Sequence, residues 1–183
     1  MIGYALCGSY CTHKKSLTAL EALISAGYDV QPIVSEHVFE TDTRFGTARA
    51  LVERLETLCQ KPVIHTIAGA EPLGPVCPLD LLVIAPCTGN TLAKLARGIT
   101  DTAVTMAAKA QLRADRPVLI GLATNDALSA NLQNIAILSA RKHVTFLPLE
   151  ADDPARKPYS LVCRFDAIPG QVKKLLGGGG AEG

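Results

Sequence analysis

The chain has 183 residues, 48% hydrophobic and 19% charged, enough apolar material for a buried core and too little charge for a disordered tail. Its 18 Lys and Arg against 17 Asp and Glu leave a formal net charge of +1, and aromatics are 4% with no Trp. That balance excludes a phosphate-backbone binder and a base-stacking platform, so no nucleic-acid partner is expected.

The first segment, Ile2–Cys7, is short and apolar and follows no positive charge, so it reads as a strand and not a leader; the protein is expected in the cytoplasm. Gly8-Ser9 breaks that strand. Leu17, Leu20, Leu23 and Ile24 recur at helical spacing, and Gly27 stops the helix. Val30–Val34 is a second strand. Ala48, Leu51, Val52, Leu55, Leu58 and Cys59 form the clearest amphipathic stripe. Val63–Ile67 predicts a third strand. Leu81–Ala85, apolar throughout, predicts a fourth covered on both faces. Helices are expected over Thr91–Ala96 and Ala103–Leu112, split near Gly98 to Asp101, and the second is apolar enough to offer surface for a subunit contact. Val118–Leu122 is a fifth strand, Leu128–Arg141 a helix and Val144–Leu149 a sixth strand. Asp152 to Pro158 is polar and bracketed by Pro, and reads as a loop leaving the core. A last helix covers Ile168–Leu176, before a flexible Gly-rich tail at 177–183. No apolar stretch approaches the ~20 residues of a membrane helix. Six scattered Cys with no CxxC pair give neither a zinc site nor a disulfide framework, so no metal is expected.

This alternation predicts an α/β fold: a doubly wound, Rossmann-like, mostly parallel sheet of six strands in three layers, α/β/α, forming one domain over residues 1–176. An eight-stranded barrel needs about 250 residues. Ligands of an open parallel sheet bind beyond the carboxyl ends of its strands, which selects the loops Gly8–Lys14, Ser35–Gly46, Pro86–Thr91 and Thr124–Leu128.

In the first loop a single Gly8, Ser9 and a helix start suit one phosphate; both GxGxxG and Walker A are missing. A plain turn with Thr12 as N-cap is the alternative. Ser35 ends the second strand beside this loop, where its hydroxyl can reach the same phosphate. Glu36 follows at the place of a ribose-binding acid, without the glycine fingerprint that role requires. Pro86-Cys87-Thr88-Gly89-Asn90-Thr91 crowds hydroxyl and amide groups at a helix start, facing a planar polar ligand; an N-cap by Thr88 or Asn90 explains only one of the six residues. His13 and His37 lie in ligand-facing loops and are the acid–base candidates, whereas His65 reads as a strand or loop histidine. Arg44 can grip a carboxylate bidentately or pair with Asp42. Lys14 and Lys15 open the first helix near the same mouth.

The stretch Pro86 to Thr91 resembles the Pro-Ala-Ser-Ala-Asn-Thr loop of the homo-oligomeric flavin-containing decarboxylase superfamily. Gly8-Ser9, Ser35 and Gly98-Ile99-Thr100-Asp101 sit where that superfamily has counterparts. Thr41–Gly46, Gly69–Pro75 and Thr124–Leu128 extend the resemblance, which runs from the first strand to about Ser160. It implies FMN, with its phosphate near Gly8, Ser9 and Ser35 and its isoalloxazine ring against Pro86, Cys87, Thr88, Gly89, Asn90 and Thr91. It implies a homo-oligomer built from trimers with flavin sites at subunit contacts. It also implies a partner A subunit of dinucleotide-binding character and a small-molecule dicarboxylate substrate, oxidised to an aromatic ring in the mother cell of a sporulating bacterium. The decarboxylase members carry a catalytic His and a Pro-x-Met-Asn-x-x-Met clamp. Here the clamp is reduced to Ala123-Thr124-Asn125-Asp126-Ala127-Leu128, leaving Asn125 as the candidate for catalysis or substrate binding. A stand-alone FMN-dependent decarboxylase or flavin-modifying enzyme is one alternative. A non-catalytic partner completing the A subunit's site is another.

Overall fold

The computed structural model describes residues 1–74 and 76–177. Strands β1 (Ile2–Leu6), β2 (Val30–Val34), β3 (Leu81–Cys87), β4 (Val118–Thr124) and β5 (Val144–Phe146) pair in parallel, in the order β2-β1-β3-β4-β5. The strands joined by β1–β3 and β3–β4 are linked by helical crossovers, which is what parallel pairing demands. Side chains alternate along β1: Ile2, Tyr4 and Leu6 enter one core, Ala5 and Cys7 the other. The first core is closed by Leu17, Leu20 and Leu23 of α1 (His13–Ser25), Leu55 of α3 (Ala48–Cys59) and Ile168 and Val172 of α8 (Ile168–Gly177). The second is closed by Leu92 and Leu95 of α5 (Gly89–Arg97), Ala107 and Ala108 of α6 (Ala103–Arg113) and Leu138 of α7 (Leu132–Ser139). The result is the three-layer, mostly parallel α/β arrangement read from the sequence. Among the described residues no helix is long and apolar enough to cross a membrane.

Among the described residues seven strands are present where the sequence predicts six. Val63–Ile67 is not a strand: Ile64 makes only an isolated parallel bridge to Ile33. Thr66 then accepts the Gly69 N–H and opens a short helix, α4 (Ile67–Ala70). The stretch Val144–Leu149 divides, because Pro148 has no N–H to continue a ladder. Past it, β6 (Leu149–Asp153) and β7 (Lys157–Cys163) form an antiparallel hairpin in the place expected to be a loop. The Arg156 N–H closes its turn on Asp153. One side of β4 serves two partners: Val118–Ile120 pair with β5, and Ala123 and Thr124 with β7. The hairpin thus sits at the carboxyl end of the sheet.

The helix α6 offers no spare apolar face of the kind expected. Ala103, Val104, Ala107 and Ala108 are buried against this chain's own sheet, their small size letting the helix lie close. Exposed apolar side chains lie elsewhere, at Phe45, Leu128, Leu132 and Tyr159. The start of α6 is held twice. Thr102 and Thr105 form a reciprocal capping box, and Glu36, from the end of β2, accepts the Ala103 N–H at 3.1 Å. Thr102→Ala is therefore expected to lower stability by about 1 kcal/mol in urea unfolding; an unchanged midpoint would mean that Glu36 suffices alone. Gly177 ends α8, and the rest of the expected tail, 178–183, lies outside the described residues, as does Pro75 of the Gly69–Pro75 segment.

Candidate functional site

The carboxyl ends of β1, β3 and β4 place three of the expected loops side by side. After β1, Ser9 takes a left-handed conformation, φ 60°, and its hydroxyl donates to the Ala123 carbonyl at 2.7 Å. Thr12 Oγ1 donates back to the Ser9 carbonyl at 2.8 Å. Gly8 touches the loop after β3: a Cβ there would lie 3.2 Å from Thr88 Cγ2. The Gly8 and Ser9 N–H groups meet no acceptor among the described residues. Ser35, mostly buried, leads into α2 (Glu36–Glu40), yet its hydroxyl caps none of that helix's N–H groups. The two free N–H groups suit one anionic group such as a phosphate, and Ser35, whose own N–H donates to Leu6 at the end of β1, borders the same loop.

Thr88 is the N-cap of α5, as the plain reading has it: its Oγ1 accepts the Thr91 N–H at 3.2 Å and donates to Thr91 Oγ1. The Gly89 and Asn90 N–H groups of that first turn stay free by helix geometry. Pro86 and Cys87 belong to β3 and are both buried, Cys87 within the second core. Burial pushes the Cys87 thiol well above its ordinary pKa. Its side chain is thus not a lining group, contrary to the expectation for this stretch. Thr91 is buried and Asn90 exposed.

The loop after β4 is anchored on Gly89. Asp126 accepts from Thr124 Oγ1 at 2.6 Å and from Asn131 Nδ2 at 2.9 Å, and the Thr124 bond above all holds its carboxyl below the usual range. Asn125 faces a cleft of about 250 Å³ shared with Ser9, Thr88, Asp152, Lys157 and Ser160. Lys157 Nζ donates to Asp152 Oδ2 at 2.8 Å, which lowers the carboxyl and raises the ammonium. Ser160 Oγ lies 3.3 Å from both the Thr124 carbonyl and Asn125 Oδ1. Asp152, Lys157 and Ser160 come from the hairpin and escaped the sequence reading. The available signal was the period-two pattern of Lys157–Cys163, in which Ser160 and Val162 turn inward.

A larger cleft, about 480 Å³, joins the first loop to the second through Tyr10, His13, Lys14, Thr41, Thr43 and Phe45. Arg44 is not among its walls. It is exposed, with its guanidinium 4.9 Å from the centre of the Phe45 ring, and it does not pair with Asp42, whose Oδ1 accepts the Ala48 N–H at 2.8 Å. His37 is exposed, contributing its carbonyl to the Tyr10 hydroxyl, and His65 stacks on Phe39. Lys15 lies outside both clefts.

His13 is buried, and its Nε2–H donates to the Cys7 carbonyl at 2.8 Å, so the neutral ring keeps Nδ1 as its basic atom. Burial lowers its pKa despite that bond. A depressed basic group favours the unfolded state once protons bind there. Stability is therefore expected to be full above the unfolded value of about 6.5 and to fall as pH drops from there toward the folded value. His13→Gln should flatten that part of the urea-unfolding pH profile; the same slope in both proteins would remove His13 as its source.

The Flavoprotein family profile matches residues 1–175. The B subunit of dipicolinate synthase from Bacillus subtilis strain 168 is 45% identical over 175 residues, covering 96% of this chain and 88% of that protein. The crystal structure of the dipicolinate synthase B subunit from Bacillus halodurans is similar with a TM-score of 0.88 at 41% identity, over 99% of this chain and 93% of the other. Burkholderia xenovorans DmrB in complex with FMN shares the fold, with a TM-score of 0.71 at 21% identity over 97% and 95% of the two chains.

Proposed function

The chain belongs to the Flavoprotein family, and on that premise we propose that it is the FMN-binding subunit of a dipicolinate synthase. It acts with the dipicolinate synthase A subunit on a hydroxylated tetrahydro-dipicolinate precursor, which loses its hydroxyl as water and then two hydrogens (two electrons and two protons) to become the aromatic dicarboxylate. The work is done in the cytoplasm of the mother cell of a sporulating bacterium. The observation that carries the reading is the 45% identity to the dipicolinate synthase B subunit across 96% of the chain. The donor set supports it: one anion site made by the Gly8 and Ser9 N–H groups, with Ser35 bordering the same loop, suits a cofactor with a single phosphate. FMN, when bound, supplies the two-electron acceptor.

The residues of this chain hold and orient the substrate. Lys157 meets one carboxylate, with Asp152 fixing the position of its ammonium, and Asn125 and Ser160 bond the ring's polar edge. His13, through Nδ1, is the acid–base candidate, lining the larger cleft beside Tyr10, with exposed His37 less well placed. Leu128 and Tyr159 are joined by a backbone bond at 3.1 Å; with Leu132, the three exposed apolar side chains form the contact surface of a trimer-based homo-oligomer.

Visible spectroscopy tests the whole reading. The purified chain with FMN should show a protein-bound flavin spectrum, bleached by the precursor only when the A subunit is present. No flavin bound at saturating FMN would make the chain a non-catalytic partner. For the substrate groups, Lys157→Met is expected to lower kcat/KM of the two-subunit enzyme by about tenfold or more with flavin content unchanged, the scale of a lost charge-assisted hydrogen bond. A tenfold loss in Arg44→Lys with no effect of Lys157→Met would move the substrate away from this cleft to the exposed loop around Arg44.

A further inference from the structure

Away from both clefts, a third cavity of about 330 Å³ opens between α5, the Gly98–Thr100 linker, α6 and Arg141, two residues past α7. Leu95, Ile99 and Leu112 give it an apolar floor, and Lys109, Arg113 and Arg141 stand around it. No acidic side chain lines it, and none of the three cations makes an ion pair among the described residues. Their neighbours differ: Lys94 of α5 pairs with Asp101, Arg116 with Asp80, and Lys142 with Asp115. Arg113 lies in the last turn of α6 and Arg141 just past α7, where a cation complements a helix dipole. That accounts for charge at each helix end. It does not account for two unpaired charges one turn apart on α6, Lys109 and Arg113, meeting a third, Arg141 from past α7, around one apolar floor, where they repel one another until an anion arrives.

We propose that this cavity is a second binding site, for a small organic dianion with a flat apolar body, an aromatic dicarboxylate. The two guanidinium groups grip carboxylates in planar, bidentate fashion, Lys109 adds a point charge, and the ring lies on Leu95, Ile99 and Leu112. The volume sits at the small end of the roughly 300–1,000 Å³ range of small-molecule pockets, which suits one ring and two carboxylates. The dicarboxylate is of the product's chemical class only if the proposed function holds, and in that case the chain senses product away from the reaction cleft; the binding itself does not depend on that reading.

Calorimetric titration of the full chain with pyridine-2,6-dicarboxylate and, separately, with inorganic phosphate tests the site. Lys157→Met serves as the background, so that the reaction cleft contributes little. Binding of one dicarboxylate per chain is expected there, weakened about tenfold or more by Arg113→Gln with Arg141→Gln, and less by Arg113→Lys with Arg141→Lys, which keep the charge at the helix ends and lose the fork. Phosphate should bind far more weakly than the dicarboxylate. Equal binding of phosphate that is likewise weakened by Arg113→Gln with Arg141→Gln would reduce the cavity to a bare cationic patch and overturn the proposal. So would dicarboxylate affinity unchanged by both double variants, or a double Gln variant that lost thermal stability without losing affinity, since the cations would then serve only the helix ends. Failure in any of these ways leaves flavin binding and bleaching untouched, so it is distinguishable from failure of the proposed function.

Discussion

Gly89→Ala is expected to destabilise the protein by about 2–4 kcal/mol, although Ala is the better helix former by roughly 1 kcal/mol. The reason lies outside the helix. A Cβ at Gly89 would stand 2.5 Å from Asn131 Nδ2, 2.6 Å from Thr124 Oγ1 and 3.0 Å from Asp126 Oδ1. These are ends of side chains, and free ends would move cheaply. Here they are tied to one another: Asp126 takes both the Thr124 hydroxyl and the Asn131 amide, and Asn134 Nδ2 holds Asn131 Oδ1 at 2.9 Å. Making room for a methyl group means opening this network and leaving part of it without partners, about 1–3 kcal/mol for each group so left. The same shift would move Asn125, next to Asp126, out of the cleft. Urea unfolding at neutral pH measures the first effect. A midpoint equal to or above that of the parent would show that the loop after β4 adapts freely, and the tie between the two loops would lose its structural meaning.

The sequence carried the local parts of this arrangement well. Val30–Val34 emerged with its observed bounds because the helix stop at Gly27 precedes it and its buried residues are contiguous. The break between α5 and α6 was visible in Gly98, which adopts φ 72° and caps α5. What stayed hidden depends on distant partners. Glu36 has nothing local to mark it as the cap of a helix that begins 67 residues later. The hairpin is the larger case. Asp152 to Pro158 looks like an excursion because its polar residues have no core of their own, and β7 is a strand by virtue of pairing with β6 along its length and with Ala123 and Thr124 of β4. Lys157, Asp152 and Ser160 reach the cleft through these two pairings, of β6 with β7 and of β7 with β4. Conversely, Cys87 and Thr88 are adjacent in a motif read as one unit, yet period two sends the first into the core and leaves the second at the cleft.

Ser9→Asp is expected to weaken FMN binding by roughly 2 kcal/mol or more, about thirtyfold in Kd, the scale of an unpaired like charge placed against a phosphate. The substitution suits the backbone, because Asp is among the residues that tolerate the left-handed conformation found at Ser9. Its effect is therefore electrostatic and not a matter of strain. A carboxylate at this point adds negative charge beside the free Gly8 and Ser9 N–H groups, the donors proposed for the phosphate. It also loses the hydroxyl bond to the Ala123 carbonyl, so some stability goes with it. Ser9→Ala separates the two effects: it loses the same bond and adds no charge. Stability should fall by about 1 kcal/mol in Ser9→Ala, with flavin affinity changed only a few-fold, whereas in Ser9→Asp affinity should fall much further than stability. Titration of flavin fluorescence on both variants, beside their unfolding curves, reads the difference. Equal flavin affinity in Ser9→Asp and the parent would remove the phosphate from the loop after β1 and leave the free N–H groups of Gly89 and Asn90 as the place to look for it.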